Sequence, residues 1–192
     1  ANDGDADRIG MFDEDGNFVD SHHLLLMLLL YMFKYKKQSG KVVVTFSATN
    51  KMRQLADQFG LEFDVTPIGF KHIAEIMVNE EVLVGGEESG GLTVKGHIPE
   101  RDGIWNALVI LEFMAKTGKT MRELIEEVYE YVGAFSYDRD DLHLKEERKQ
   151  AVIRQCRENP FPSIGRYEVE RVETLDGFKF ILDEERWVLI RP

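Results

Sequence analysis

The sequence predicts an α/β layer structure followed by a small α+β domain with an antiparallel sheet, and three observations carry that prediction. Strand-like apolar runs alternate with helix-length segments through short links as far as residue 132. Past Gly133 the texture changes to a densely charged segment, DRDDLHLKEERKQAVIRQCREN. The last 26 residues then alternate short apolar runs around Asp176-Gly177, as an antiparallel meander does.

Each element follows from local chemistry. Arg8 to Phe12, the turn DEDGN and the pair FV read as a hairpin, because Asp15-Gly16 tolerates the positive φ of a tight turn. The stretch DGDADR therefore leads into a strand, and DEDGN reads as a solvated turn. Asp20 or Ser21 caps a helix that runs through LLLMLLLYMF to about Lys37, with Gly40 beyond its end. VVVTF is a β-branched run suited to a strand buried on both faces. A helix over residues 50–59, a strand in LEFDV, a helix over 70–78 and a strand in EVLVG follow. After the extended LTVKG, Asp102 caps a long helix that Gly118 closes, and Thr120 with Glu123 forms a capping box for MRELIEEVYEYV. A charged helix over residues 145–158 ends at Pro160 and Pro162. The domain boundary falls near residues 134–140.

Composition narrows the function classes. At 192 residues the chain is long enough for a core. Its 43% hydrophobic and 31% charged residues fit an ordinary globular protein. A net charge of −11 and the lack of Lys/Arg stripes argue against nucleic acid as a partner. The longest apolar run, Leu24 to Phe33, is far shorter than the ~20 residues that span a bilayer, so no membrane partner is expected. Cys156 is the only cysteine, which excludes an internal disulfide and makes the cytoplasm the expected compartment. The chain starts almost on an acidic cluster and stops just after the apolar run WVLI, so it reads as a fragment of a longer polypeptide.

In open α/β sheets ligands gather at the carboxyl ends of strands. Three such ends stand out: SATN after VVVTF, PIGFK after EFDVT, and GEESGG after EVLVG. In the last, Glu87 and Ser89 lie among glycines on a backbone able to approach a ligand closely, which suits adjacent sugar hydroxyls. The same pattern fits a glycine-rich turn with solvated acids equally well. Gly69 and Lys71 offer a compact loop and a cation for phosphate, or a merely solvated lysine. Arg101 and His97 each fit a ligand contact or a structural role. At the start, Asp3, Asp5 and Asp7 repel one another unless a cation or solvent intervenes. An EF-hand is set aside, because its sixth loop position is Arg8 rather than Gly and an apolar hairpin replaces its flanking helix. Three carboxylates with open coordination positions favour Mg2+ completed by a phosphate oxygen, with Arg8 bracing the anion; an acidic turn is the competing reading. His22 and His23 read as helix-entry residues.

Taken in register, ANDGDADR, TPIGFK, GGEESGG and HIPERDG resemble the α-D-phosphohexomutases, the phosphoglucomutase and phosphomannomutase family, across essentially the whole chain. The resemblance implies a three-layer α/β/α domain with a mixed sheet at residues 18–134. Residues 1–17 would end a preceding domain with its metal loop, and 135–192 would be an incomplete C-terminal α+β domain. It implies Mg2+ on Asp3, Asp5 and Asp7, and Arg8 lining the cleft. Glu87 and Ser89 would form the sugar loop, with Gly69 and Lys71 in a further substrate-facing loop. Arg101 stands where many relatives carry lysine, and Gly91 where some carry histidine. The implied reaction interconverts hexose 1-phosphate and hexose 6-phosphate through a phosphoserine and a bisphosphate intermediate. Glucose-type specificity is favoured over mannose-type, with phosphoglucosamine mutase as the alternative and a non-catalytic sugar-phosphate-binding module as the reading from another class. Without the serine segment and the missing domains of the same polypeptide, the fragment alone is expected to be inactive.

Overall fold

In the computed structural model, which describes residues 1–191, a bridge between Asn2 and Ile9 closes the first loop. The hairpin of β1 (Met11–Phe12) and β2 (Phe18–Val19) follows, with Met11 opposite Val19. Asp20 then caps α1 (Ser21–Leu30), its carboxylate accepting the backbone N–H groups of His22 at 2.9 Å and His23 at 3.1 Å. Every residue of α1 is buried, as a helix apolar on all sides must be. The helix continues into a wider π-helical turn, Tyr31–Tyr35, in which the successive side chains of Lys34 and Tyr35 both reach Glu127 at 2.7 Å.

The sheet is built from β3 (Lys41–Thr45), β4 (Phe63–Thr66), β5 (Val82–Gly86) and β6 (Leu92–Val94), in the order β4-β3-β5-β6. The first three strands run parallel and β6 is antiparallel to β5, so the sheet is mixed. Helices α2 (Lys51–Gln58) and α3 (Phe70–Asn79) connect the parallel strands. Strand periodicity of two splits the apolar runs between two faces. Val42, Val44 and Val84 face a core shared with α1, α2, α4 (Gly103–Thr117) and α5 (Met121–Val132), whereas Val43 and Val82 pack with Phe70 and Ile73 of α3. These are the three layers the resemblance implies.

The caps act as the sequence predicts. Asp102 accepts the Trp105 N–H at 2.8 Å, Gly118 closes α4 in the left-handed region at φ 68°, and Thr120 and Glu123 form the capping box of α5. One expectation changes: DEDGN is docked rather than simply solvated. Arg122, in the first turn of α5, pairs with Asp15 and lies 3.6 Å from Asp13. The histidines opening α1 are structural. His23 bridges Asp20 at 2.9 Å and the Tyr129 hydroxyl at 2.8 Å and stacks on Phe135, while the His22 ring packs edge-on against Tyr137.

The chain divides into two compact units after Tyr137, and residues 1–17 belong to the first. The second holds α6 (Glu146–Glu158), a short hairpin of β7 (Ser163–Ile164) and β8 (Tyr167–Glu168), and an antiparallel sheet of β9 (Arg171–Glu173), β10 (Phe178–Ile181) and β11 (Trp187–Ile190). Its core contains Cys156, Phe178 and Phe180. Burial raises the thiol pKa of Cys156. Among the described residues no helix is long and apolar enough to cross a membrane.

Candidate functional site

The acidic loop is compact. Asp3, Asp5 and Asp7 each offer a carboxylate oxygen, and these atoms lie within 4.8 Å of one another. The turn is made by Ala6, whose φ of 61° is left-handed, with its N–H bonded to the Asp3 carbonyl at 3.2 Å. Arg8 donates to Asp3 through its backbone N–H at 3.2 Å and its Nε at 2.6 Å. Partial desolvation works against the Asp3 charge, yet the Arg8 hydrogen bonds prevail and hold its pKa below the usual range. Asp7 divides its two oxygens: Oδ2 lies 2.5 Å from Arg101 Nε, while Oδ1 is buried, lies 3.6 Å from Arg8 Nε and accepts no hydrogen bond. A buried acceptor left without a donor costs about 1 to 3 kcal/mol, which a bound cation would remove. Three hard oxygen donors with open positions fit Mg2+.

The glycine-rich loop after β5 folds back on itself, with the Glu87 N–H bonded to the Gly91 carbonyl at 3.0 Å and the Gly90 N–H to the Glu87 carbonyl at 3.2 Å. Glu87 is buried and held from two sides. Its Oε1 accepts the Gly69 N–H at 3.0 Å and its Oε2 lies 3.5 Å from an Arg101 terminal nitrogen. Burial pushes the Glu87 pKa up and the neighbouring Glu88 charge adds to the rise, with Gly69 and Arg101 pulling the other way. Arg101 thus touches both loops: one guanidinium spans a carboxylate of the acidic cluster and the buried carboxylate of the glycine-rich loop.

The other predicted residues are spread around this contact. Gly69 precedes α3 at φ 132°, and its N–H is spent on orienting Glu87. Ser89 lies half-buried within the Glu87–Gly91 turn. Lys71 is exposed on the first turn of α3 and joins no ion pair among the described residues. His97 is drawn away: its Nε2 lies 2.8 Å from Asp102 and its ring stacks on Trp105 at 4.4 Å. Sequence reasoning missed Glu88, whose carboxylate accepts the Ser47 hydroxyl and whose carbonyl accepts the Ser21 hydroxyl. The available signal was register. Val44 of β3 pairs with Gly86 of β5, so the residues just past both strands emerge side by side.

Comparison with known proteins identifies the family of the fold. Residues 20–132 match the family model for the phosphoglucomutase/phosphomannomutase alpha/beta/alpha domain III. A phosphoglucosamine mutase of Rubrobacter xylanophilus is 37% identical over 132 residues, covering 68% of this chain and 30% of its own length. A phosphoglucomutase/phosphomannomutase of Thermococcus kodakarensis is 30% identical over 191 residues, covering 100% of this chain and 39% of its own. Among solved structures, a Thermus thermophilus protein named as a phosphomannomutase superimposes with a TM-score of 0.84 at 36% identity, over 100% of this chain and 39% of that one. An Aspergillus fumigatus N-acetylphosphoglucosamine mutase, solved with GlcNAc-6P and magnesium, shares the fold at a TM-score of 0.54 and 19% identity, over 65% of this chain and 34% of that one. The chain spans between 30% and 39% of the length of the two curated relatives. With more than half of its residues in the domain III match and the whole chain aligned to full-length relatives, it belongs to the phosphoglucomutase/phosphomannomutase family, the α-D-phosphohexomutases.

Proposed function

We propose that this chain supplies the metal loop and the sugar-recognition loop of a Mg2+-dependent phosphohexomutase, which interconverts hexose 1-phosphate and hexose 6-phosphate through a phosphoserine and a bisphosphate intermediate. The observation that carries the reading is Arg101 in contact with Asp7 and Glu87 together, since it sets a carboxylate of the candidate metal cluster next to the buried sugar acceptor.

Asp3, Asp5 and Asp7 would hold the ion. Mg2+, when bound, supplies neutralisation of the charge on phosphoryl oxygens, the main demand of phosphoryl transfer. Arg8, fixed against Asp3, presents the remaining face of its guanidinium to an anion at the loop. Glu87 and Ser89 bind hydroxyls. A substrate that must react at either end needs acceptors directed at hydroxyls present in both orientations, and a carboxylate with two oxygens provides them. Gly69 acts through Glu87 by orienting it, and Lys71 is available to a phosphate from the exposed start of α3. A cytoplasmic setting suits the lone, buried Cys156.

Glucose-type specificity is the first reading, from the form of GEESGG and ERDG. The 37% identity to a phosphoglucosamine mutase favours glucosamine phosphate as the second. Calorimetric titration of the chain tests the site: Mg2+ is expected to bind to the native protein and not to Asp5→Asn, and glucose 6-phosphate or glucosamine 6-phosphate to bind to the Mg2+ form and not to Glu87→Ala. Absence of Mg2+ binding by the native chain would remove the metal reading. Binding of both ligands by a full-length protein without turnover would favour the non-catalytic module.

A further inference from the structure

Gly91 has no side chain, and Arg101 fills the space beside it. A Cβ at Gly91 would stand 2.9 Å from Arg101 Cδ, 3.7 Å from its terminal nitrogen and 3.3 Å from Glu87 Oε2. Separations under 3.0 Å are essentially never adopted by a real Cβ, so any side chain at position 91 displaces Arg101. The backbone itself raises no objection, because the φ of Gly91 lies outside the left-handed range that disfavours other residues. Arg101 is the tightest of the neighbours that crowd position 91, with Glu87 Oε2 the next.

We infer that Gly91 is a positioning residue acting through Arg101: its bare Cα lets the arginine lie across the Glu87–Gly91 turn and hold Asp7 and Glu87 at once. With Arg101 in place, one cation couples the acidic loop to the glycine-rich loop, at 2.5 Å from Asp7 and 3.5 Å from Glu87. A second consequence follows from charge. The guanidinium offsets part of the negative charge of Asp7, so the three-aspartate cluster attracts a divalent cation less strongly than it would alone. Residue 91 therefore sets a balance between cation affinity at Asp3, Asp5 and Asp7 and order in the loop that carries Glu87 and Ser89.

This deepens the proposed site and rests on that reading only for its metal arm. A double-mutant cycle of Gly91→Ala and Arg101→Ala tests it, using the 192-residue chain and Mg2+ alone as the probe. Each single change is expected to tighten Mg2+ binding about fivefold, and the double variant to bind no more tightly than either, because both act by removing the same contact. The metal-free protein gives an independent measurement. The Arg101 Nε–H resonance is expected to differ in the native chain from that of a solvent-exposed arginine, because the guanidinium is paired with Asp7 and Glu87, and to move to its solvent-exposed position in Gly91→Ala while the backbone amide spectrum elsewhere is unchanged. An unmoved Arg101 resonance, or effects on Mg2+ affinity that add independently, would overturn the inference. If Gly91→Ala does not fold, Gly91→Ala/Arg101→Ala must recover the fold, and its failure to do so also counts against the pair. If no form binds Mg2+, the metal reading fails by itself and the resonance still decides whether Gly91 positions Arg101.

Discussion

Ile9 donates its backbone N–H to the carbonyl of Gly90 at 3.0 Å, and this bond fastens the acidic loop to the glycine-rich loop through main chain alone. Gly90 holds φ at 94°, and a Cβ there would lie 2.6 Å from the Ile9 carbonyl oxygen. That oxygen belongs to backbone and cannot rotate aside. Gly90→Ala is therefore expected to destabilise the first unit by about 2 to 4 kcal/mol, combining backbone strain with overpacking. Urea unfolding measures it, and a loss under about 1 kcal/mol would show that the two loops adjust independently.

Glu88 offers a change of charge with little change of shape. Burial is the first cause of the raised Glu87 pKa and the Glu88 charge the second. Glu88→Gln keeps an oxygen for the Ser47 hydroxyl and removes the charge, so Glu87 is expected to titrate at lower pH in the variant. The sign for stability follows. Folded Glu87 keeps its proton to higher pH than the unfolded chain, so its ionisation costs stability as pH rises from 4.5 through the folded value, and the variant should reduce that cost. Carboxyl NMR titration reads the midpoint directly. An unchanged midpoint would mean that Glu88 does not act on Glu87 through charge.

Away from the site, Glu127 is a buried anion fully enclosed by donors. Its oxygens accept Lys34, Tyr35 and Lys119, each at 2.7 Å, and only 3% of the residue is exposed. Desolvation opposes its charge, but these donors depress its pKa from 4.5 to about 2. A depressed carboxylate contributes stability that is present above 4.5 and lost as pH falls toward about 2. Glu127→Gln is expected to cost about 2 to 3 kcal/mol at neutral pH, less than a fully buried pair because both lysines reach solvent. It should also flatten the acid limb of the stability profile between those two values. A variant with the native acid limb would place that pH dependence elsewhere.

Local signals made most of the fold legible. Asp20, Asp102 and the Thr120/Glu123 pair mark helix starts because capping is decided within four residues. The valines of β3 and β5 mark buried strands by composition. The widened turn at Tyr31–Tyr35 carries no such signal, since the partner that meets Lys34 and Tyr35 is Glu127 on a distant helix. Arg122 against Asp13 and Asp15 is hidden for the same reason. At the site, the spacing of Asp3, Asp5 and Asp7 and the glycines around Glu87 were visible. The Ser47 to Glu88 bond depends on strand register, and the Arg101 contact depends on the packing of two loops, neither of which leaves a mark within a short window.

The most direct test is turnover in the protein that carries this chain, with glucose 1-phosphate, mannose 1-phosphate and glucosamine 1-phosphate assayed side by side, each with its bisphosphate activator. At least one hexose 1-phosphate is expected to be converted to its 6-phosphate in a Mg2+-dependent reaction that Asp5→Asn abolishes. Inactivity toward all three, or conversion that proceeds unchanged without Mg2+ or in Asp5→Asn, would contradict a phosphohexomutase built on this site.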